Sequence, residues 1–395
     1  MGMRVCLYDE WMKSSTPAVL PEPTPEALAH SQRLVGHIHG EIMAAGGWIS
    51  FTRYMELALY APGLGYYAGG AAKFGAAGDF VTAPELTPFF GRTLARVAVE
   101  VLAQLGGGDI LELGAGSGRL AMDVLLELEC LNSLPARYRI LEVSPDLRER
   151  QQRLLSQHAP HLLDRVDWLD GLPDVLQGVV LANEVLDALP VHLLHWTGAG
   201  VVERGVAWRE EGFVWEGRPM GLRALASAAA DLPVTAPYLS EINLAAPALI
   251  ASLAARLENG LMLFLDYGFP RAEFYHPQRH LGTLKVHYRH HSLDDPFFLP
   301  GLADITAHVD FTVVAKAAEE AGLDLLAYGS QGRFLLDAGL LDLMSDMTPG
   351  TPDYLRAAQA VQKLVQPHEM GELFKVMALG RGIEAPTACR RIDRL

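Results

Sequence analysis

From residue 109 onward the chain alternates short apolar runs with helical patterns, and this alternation narrows its possible folds more than any other feature. Runs at 109–113, 138–143, 166–169, 178–182 and 261–267 have the length and residue types of strands. Helical spacing at about 119–128 and 145–157 separates the first three. Strands this apolar need cover on both faces, which a parallel sheet with crossover helices supplies. The expected fold class is α/β, with a mostly parallel sheet. Segments 323–328 and 373–379 suit an antiparallel hairpin that closes it. The gap from 182 to 261 exceeds what one crossover helix needs, and 193–196, 200–208 and 212–215 read as strands of an inserted β-meander.

Upstream, Pro21, Pro23 and Pro25 disfavour helix, so residues 1–25 are expected to be a mobile arm. Helices are predicted over 26–45 and after Ser50, with Ser50 or Thr52 as cap, and again over 88–105, stopped by Gly106-Gly107-Gly108. Residues 62–88 are dense in Gly, Pro and aromatics, the composition of an ordered functional loop. The expected division is an arm at 1–25, a helical and loop region at 26–108 covering the site, and a core at 109–395. Insertions interrupt that core at about 191–258 and 270–322.

Formal net charge is −15, and no Lys/Arg run offers a basic face for phosphates. Nucleic acid and anionic membrane surfaces are therefore not expected partners. Cys6, Cys130 and Cys389 are far apart with no CxxC pair, which argues against disulfides and structural zinc. No apolar run reaches the roughly 18–20 residues of a membrane span. Asp9 and Glu10 spoil an early apolar leader, and Arg is too sparse there for a transit peptide. The expected location is the cytoplasm.

The most informative stretch is Glu112-Leu113-Gly114-Ala115-Gly116-Ser117-Gly118, between an apolar strand and a helix. Glycines there let backbone approach a nucleotide-like ligand without Cβ atoms intervening. A dinucleotide fingerprint would place its third glycine at 119, where Arg119 stands. The pattern E-x-G-x-G-x-G, with Glu112 two residues before Gly114, instead resembles motif I of class I (Rossmann-like) methyltransferases. The second strand ends at Glu142, where a carboxylate can accept from both ribose hydroxyls. Asp170, ending the third strand, is a candidate acceptor for the adenine amino group, and an ordinary strand-end acid is the alternative.

Beyond the fourth strand, Asn183, Glu184 and Asp187 interrupt an apolar run where such sheets carry their chemistry. One reading is a capped helix start, with Asn183 as cap. The other is acceptor positioning, with Glu184 and Asp187 clamping a cation such as guanidinium and helping its proton leave.

Several blocks together resemble one family. They are Phe51-Thr52-Arg53-Tyr54-Met55, Tyr66-Tyr67, Phe74-Gly75-Ala76-Ala77-Gly78-Asp79-Phe80-Val81-Thr82-Ala83-Pro84-Glu85, the glycine turn, Glu142-Val143-Ser144-Pro145 and Asn183 to Pro190. Asp266-Tyr267-Gly268, Gly282-Thr283-Leu284, Asp304 to Phe311 and Gly329-Ser330-Gln331-Gly332 continue the match. The chain is similar to the MidA-like family, whose mitochondrial members are complex I assembly factors that dimethylate an arginine of a core subunit. The resemblance implies a class I methyltransferase fold, S-adenosyl-L-methionine as cofactor and an arginine-bearing protein partner, such as a respiratory-complex subunit. On that resemblance the loop at 78–84 folds over the cofactor, with Asp79 or Thr82 near its methionine end. Tyr66 and Tyr67 would wall the acceptor channel, and His308 would be a general base or a donor shaping the acceptor pocket.

His276, His280, His287, His290, His291 and His308 cluster in sequence without a ligand spacing such as HExxH, so no metal site is expected. Nor is a GxSxG elbow or a Walker A loop present. A small-metabolite acceptor and a cofactor-binding assembly scaffold stand as alternatives. The meander at about 192–216 could serve a homodimer, a partner or a lid.

Overall fold

A computed structural model describes residues 20–69, 82–230, 232–345, 347–390 and 395. The core strands are β1 (Asp109–Leu113), β2 (Tyr138–Leu141), β3 (Val166–Leu169), β4 (Leu176–Asn183), β5 (Leu257–Phe269), β6 (Asp324–Ser330) and β7 (Phe374–Arg381). They hydrogen-bond in the order β6-β7-β5-β4-β1-β2-β3, and Val309–Asp310 adds a short parallel piece beside the end of β5. Pairing is parallel from β3 through β5, then antiparallel at β5–β7 and β7–β6. This is the α/β class I methyltransferase (Rossmann-like) sheet with its antiparallel closing pair. Chain order reverses between β1 and β4, which leaves a crevice at their carboxyl ends.

Both faces of the sheet are covered, as its apolar strands require. Ile110, Val179, Leu181, Leu261 and Leu263 pack with helices Pro88–Leu105 and Arg119–Cys130. Leu111, Val180, Ala182, Met262 and Phe264 face the other way, toward helices Ala245–Ala254 and Phe311–Glu320. Burying one such side chain contributes about 1.5–3 kcal/mol, so the two layers dominate stability.

A second sheet forms above the core. Gly200–Arg209 pairs on one edge with His192–Thr197 and then Trp48–Ser50, and on the other with Gly212–Arg218. Tyr238–Ile242 extends it beyond His192–Thr197. The meander is thus larger than its three expected strands and borrows one from the N-terminal region. A three-residue strand is too short for its period to be read. A further sheet, not expected, places Lys285–Tyr288 between His291–Leu293 and Asp304–Thr306. Leu34, Ile38, Tyr54, Leu193, Val206, Val286 and Ile305 share one buried cluster, so the N-terminal helices and both insertions form a single roof.

Ser50 caps helix Phe51–Tyr60, accepting the Arg53 N–H at 3.2 Å, which decides between the two candidate caps. The arm differs from expectation at its end. The carbonyls of Pro21 and Glu22 accept from the Tyr288 hydroxyl and the Arg289 guanidinium, each at 3.1 Å, so this stretch lies against the second insertion. Residues 1–19 lie outside the described residues.

Candidate functional site

The crevice where the sheet order reverses opens into a cavity of about 410 Å³. Its floor at one end is the turn after β1. Gly114, Gly116 and Gly118 have φ of +62°, +53° and +86°, in the left-handed region that disfavours side chains. A Cβ on Gly118 would also meet Gln151 at 3.1 Å. Glu112 lies beneath the turn, buried, and accepts the Tyr138 hydroxyl at 2.6 Å. Burial pushes its carboxyl up to about 7, against the lowering effect of the Tyr138 bond.

At the end of β2, buried Glu142 accepts the Ser144 N–H at 2.9 Å and the Gln151 side-chain amide at 3.1 Å. Gln151 bridges from there to the Gly116 carbonyl at 2.9 Å. Thr82, the residue before helix Ala83–Leu86, also lines the cavity. Asp79 lies outside the described residues.

The opposite end is built from the segment after β4. No helix begins there, so the capped-helix reading of Asn183 fails; the chain turns at Glu184, whose φ is +54°. Asp266, in the last part of β5, organises this turn by accepting the N–H groups of Val185, Leu186 and Asp187 at 3.1, 2.8 and 3.3 Å. Asn183, Glu184 and Asp187 all line the cavity. Burial, with help from Asp187, raises the Glu184 carboxyl to about 8. Burial likewise raises Asp187 to about 6, while a bond from the Tyr267 hydroxyl holds it down.

His308 joins this end from the second insertion, its ring against Tyr267 and Phe269 at 5.2 and 5.3 Å. Burial, then Arg279 and Lys285, lower it to about 4, so the ring is neutral at pH 7. The stacked rings of Tyr60 and Tyr67 wall this end, with hydroxyls donating to the Ala188 carbonyl and the Asp304 carboxylate at 2.9 and 3.0 Å. Tyr66, expected beside Tyr67, is instead packed in the roof core.

Two electrostatic facts stand out. Six carboxylates line the cavity (Glu85, Glu112, Glu142, Glu184, Asp187 and Asp304) against the cations Arg119 and Lys285. Asn183 Oδ1, Asp187 Oδ1 and His308 Nδ1 are buried with no hydrogen-bond partner among the described residues. Leaving such atoms unpaired costs about 1–3 kcal/mol each, a cost that a donor-bearing cationic ligand removes.

Asp170 requires correction. Its side chain is 93% exposed, is absent from the cavity lining and pairs with Arg148 at 2.7 Å. Arg148 also grips the Glu142 and Leu169 carbonyls at 2.7 and 2.6 Å, which turns the Asp170 carboxylate away to the surface. Sequence reasoning gave no role to Gln151, Asp266, Asp304 or Lys285. Gln151 left a signal: it follows Leu147 and precedes Leu155 by four residues, a polar group on the buried stripe of its helix. Asp266 and Asp304 left none beyond the blocks they sit in. Among the described residues no cluster of His, Cys, Asp or Glu could hold a metal ion, and no helix is long and apolar enough to cross a membrane.

Comparison with known proteins agrees with this geometry. Residues 93–329 match the family described as S-adenosyl-L-methionine-dependent methyltransferases. A crystal structure from Burkholderia thailandensis with S-adenosyl-homocysteine bound is 48% identical, with a TM-score of 0.92 over 95% of this chain and 99% of that one. The mitochondrial protein arginine methyltransferase NDUFAF7 homolog of Drosophila melanogaster is 30% identical over 94% of this chain and 90% of its own length. Its Homo sapiens counterpart is 27% identical over 88% and 83%.

The cavity fits that cofactor. A Cβ on Gly114 would find nothing nearer than Val185 Cγ2 at 3.6 Å, so the turn is an open bed, and Asn183 Oδ1 waits for a donor. The relatives' names overturn the cytoplasmic expectation, because the curated relatives are mitochondrial proteins. Scarce cysteines distinguish reducing from oxidising surroundings, not one reducing compartment from another. The chain belongs to the family of S-adenosyl-L-methionine-dependent methyltransferases.

Proposed function

We propose that this enzyme methylates an arginine presented by a protein. The observation that carries the reading is the acceptor end of the cavity, where Glu184, Asp187 and Asp304 meet the unpartnered Asp187 Oδ1 and His308 Nδ1. Acceptors so concentrated suit a guanidinium, which offers five N–H donors and a permanent charge. The names of the curated relatives support both the protein and the arginine.

On this reading Gly114, Gly116 and Gly118 bed the cofactor over Glu112, Glu142 takes the ribose hydroxyls, and Thr82 and Asn183 serve the methionine end. When bound, S-adenosyl-L-methionine supplies the methyl group, whose C–S bond breaks toward sulfur as the acceptor nitrogen takes the carbon. Glu184 and Asp187 hold the guanidinium in line, and such placement supplies much of the acceleration. They also accept the proton that must leave it, with neutral His308 as a second acceptor. Tyr60 and Tyr67 keep the side chain aligned and water out.

The test is mass spectrometry of the proteome with and without this protein, together with labelled cofactor and candidate acceptors, a respiratory-complex subunit being the first to try. An arginine methyl mark that vanishes without the protein, and returns with the purified enzyme, is the expected result. Label appearing only in small metabolites would replace the acceptor. Unaltered function of the catalytically dead Glu184→Gln protein in cells would favour a scaffold.

A further inference from the structure

Helix Pro145–His158 buries one polar side chain completely, that of Gln151. Its amide nitrogen donates to the Gly116 carbonyl at 2.9 Å and to the Glu142 carboxylate at 3.1 Å. Its amide oxygen accepts the Trp168 indole N–H at 2.9 Å. These partners fix the orientation of the amide. Reversed, it would set oxygen against two acceptors and nitrogen against a donor. One side chain thereby joins the glycine turn after β1, the acid ending β2 and the middle of β3.

We propose that Gln151 is a positioning residue, aiming the Glu142 carboxylate at the cofactor's ribose and holding the glycine turn at matching height. This rests on the ribose role of Glu142 proposed above. Glu142 is anchored through both oxygens, Oε1 by the Ser144 N–H at 2.9 Å and Oε2 by Gln151. A carboxylate held twice has lost its rotation before the ligand arrives, so binding costs less ordering. The same amide donates to the Gly116 carbonyl, so turn and carboxylate keep a common reference. A glutamate at 151 would still accept from Trp168 but would set an oxygen against the two acceptors it now serves. A methionine would fill the space and serve none of them.

The test is calorimetric titration of the full chain with S-adenosylhomocysteine and with its 2′-deoxy analogue. The proteins are the wild type, Gln151→Met, Gln151→Glu and Glu142→Ala, each first checked for a cooperative melt. Wild type should prefer the hydroxylated compound by about ten-fold or more, the scale of a hydrogen bond to a charged group. In both Gln151 variants that preference should fall to about two-fold or less. Equal weakening toward both compounds, with the preference kept, would make Gln151 a packing residue and overturn the proposal. If Glu142→Ala itself kept the preference, the ribose role would fall, and this inference with it. If Glu142→Ala lost it while the Gln151 variants kept it, only the inference would fall.

Discussion

Asp266 accepts the N–H of Leu186 at 2.8 Å from the last part of the neighbouring strand, and the same oxygen takes the amides on either side. The acceptor turn therefore owes its shape to a buried carboxylate on β5 and not to its own residues. Burial, with Asp187 and Glu184 nearby, raises this carboxyl well above the usual carboxylate range. Asp266→Asn keeps one oxygen for the three amides while setting an NH2 group against the Tyr267 N–H that Oδ1 now accepts. That leaves a partly buried N–H unpaired, so the variant should destabilise by about 1–3 kcal/mol. Catalysis should suffer more than cofactor affinity. Denaturation, turnover rates and S-adenosylhomocysteine titration together check this, and weakened cofactor binding at unchanged stability would contradict this account.

The raised carboxylates give the protein a characteristic response to pH. Folded Glu184 and Asp187 titrate near 8 and 6, against ordinary values of 4.5 and 3.8. Between the ordinary and raised values the folded state binds more protons than the unfolded one, so stability falls as pH rises through that window. Ligand-free protein should melt lower at pH 8 than at pH 5, and Glu184→Gln should flatten the upper part of the slope. Activity should move oppositely, rising from pH 6 to 8 as both groups ionise and can hold a cation. Parallel thermal melts and rate profiles check both directions.

A third outcome concerns the acid under the glycine turn. The Tyr138 hydroxyl holds the buried Glu112 carboxyl down, so Tyr138→Phe should raise its titration above the present value of about 7. Removing one partner of a buried group costs about 1–3 kcal/mol. The loss should be larger at pH 8.5 than at pH 5.5, because the tyrosine stabilises the ionised form. Chemical denaturation at the two pH values tests it, and an equal loss at both would count against the assignment.

Gly118→Ala places a side chain at φ +86° and within 3.1 Å of Gln151. The left-handed backbone alone costs about 1–2 kcal/mol. Reduced melting temperature and weakened S-adenosylhomocysteine binding are both expected. By contrast, Asp170→Ala removes only an exposed ion pair, worth about 0–1 kcal/mol, and should leave that binding within about two-fold of the wild type.

The first three core strands were legible because helices separate them, and β4 and β5 because their apolar runs bury both faces, patterns that survive without any neighbour in view. The glycine turn and Glu142 were legible for a related reason: their positions at strand ends follow from local sequence. Asp170 misled because a strand-end acid says nothing about where a neighbouring arginine will pull it. The roof was only partly readable. Trp48–Ser50 pairs with Ala207, Val206 and Gly205, a long-range partnership that no local period announces. Asp266 and Gln151 act through partners on other strands, so their tasks appear only once the sheet is assembled.

The borrowed strand has a practical consequence. A chain shortened to begin at Asp109 would retain its glycine turn yet uncover a stretch of Gly200–Arg209 edge that Trp48–Ser50 now protects. Bare sheet margins recruit other copies. Such a truncation should therefore clump, which makes the N-terminal strand a safeguard against self-association.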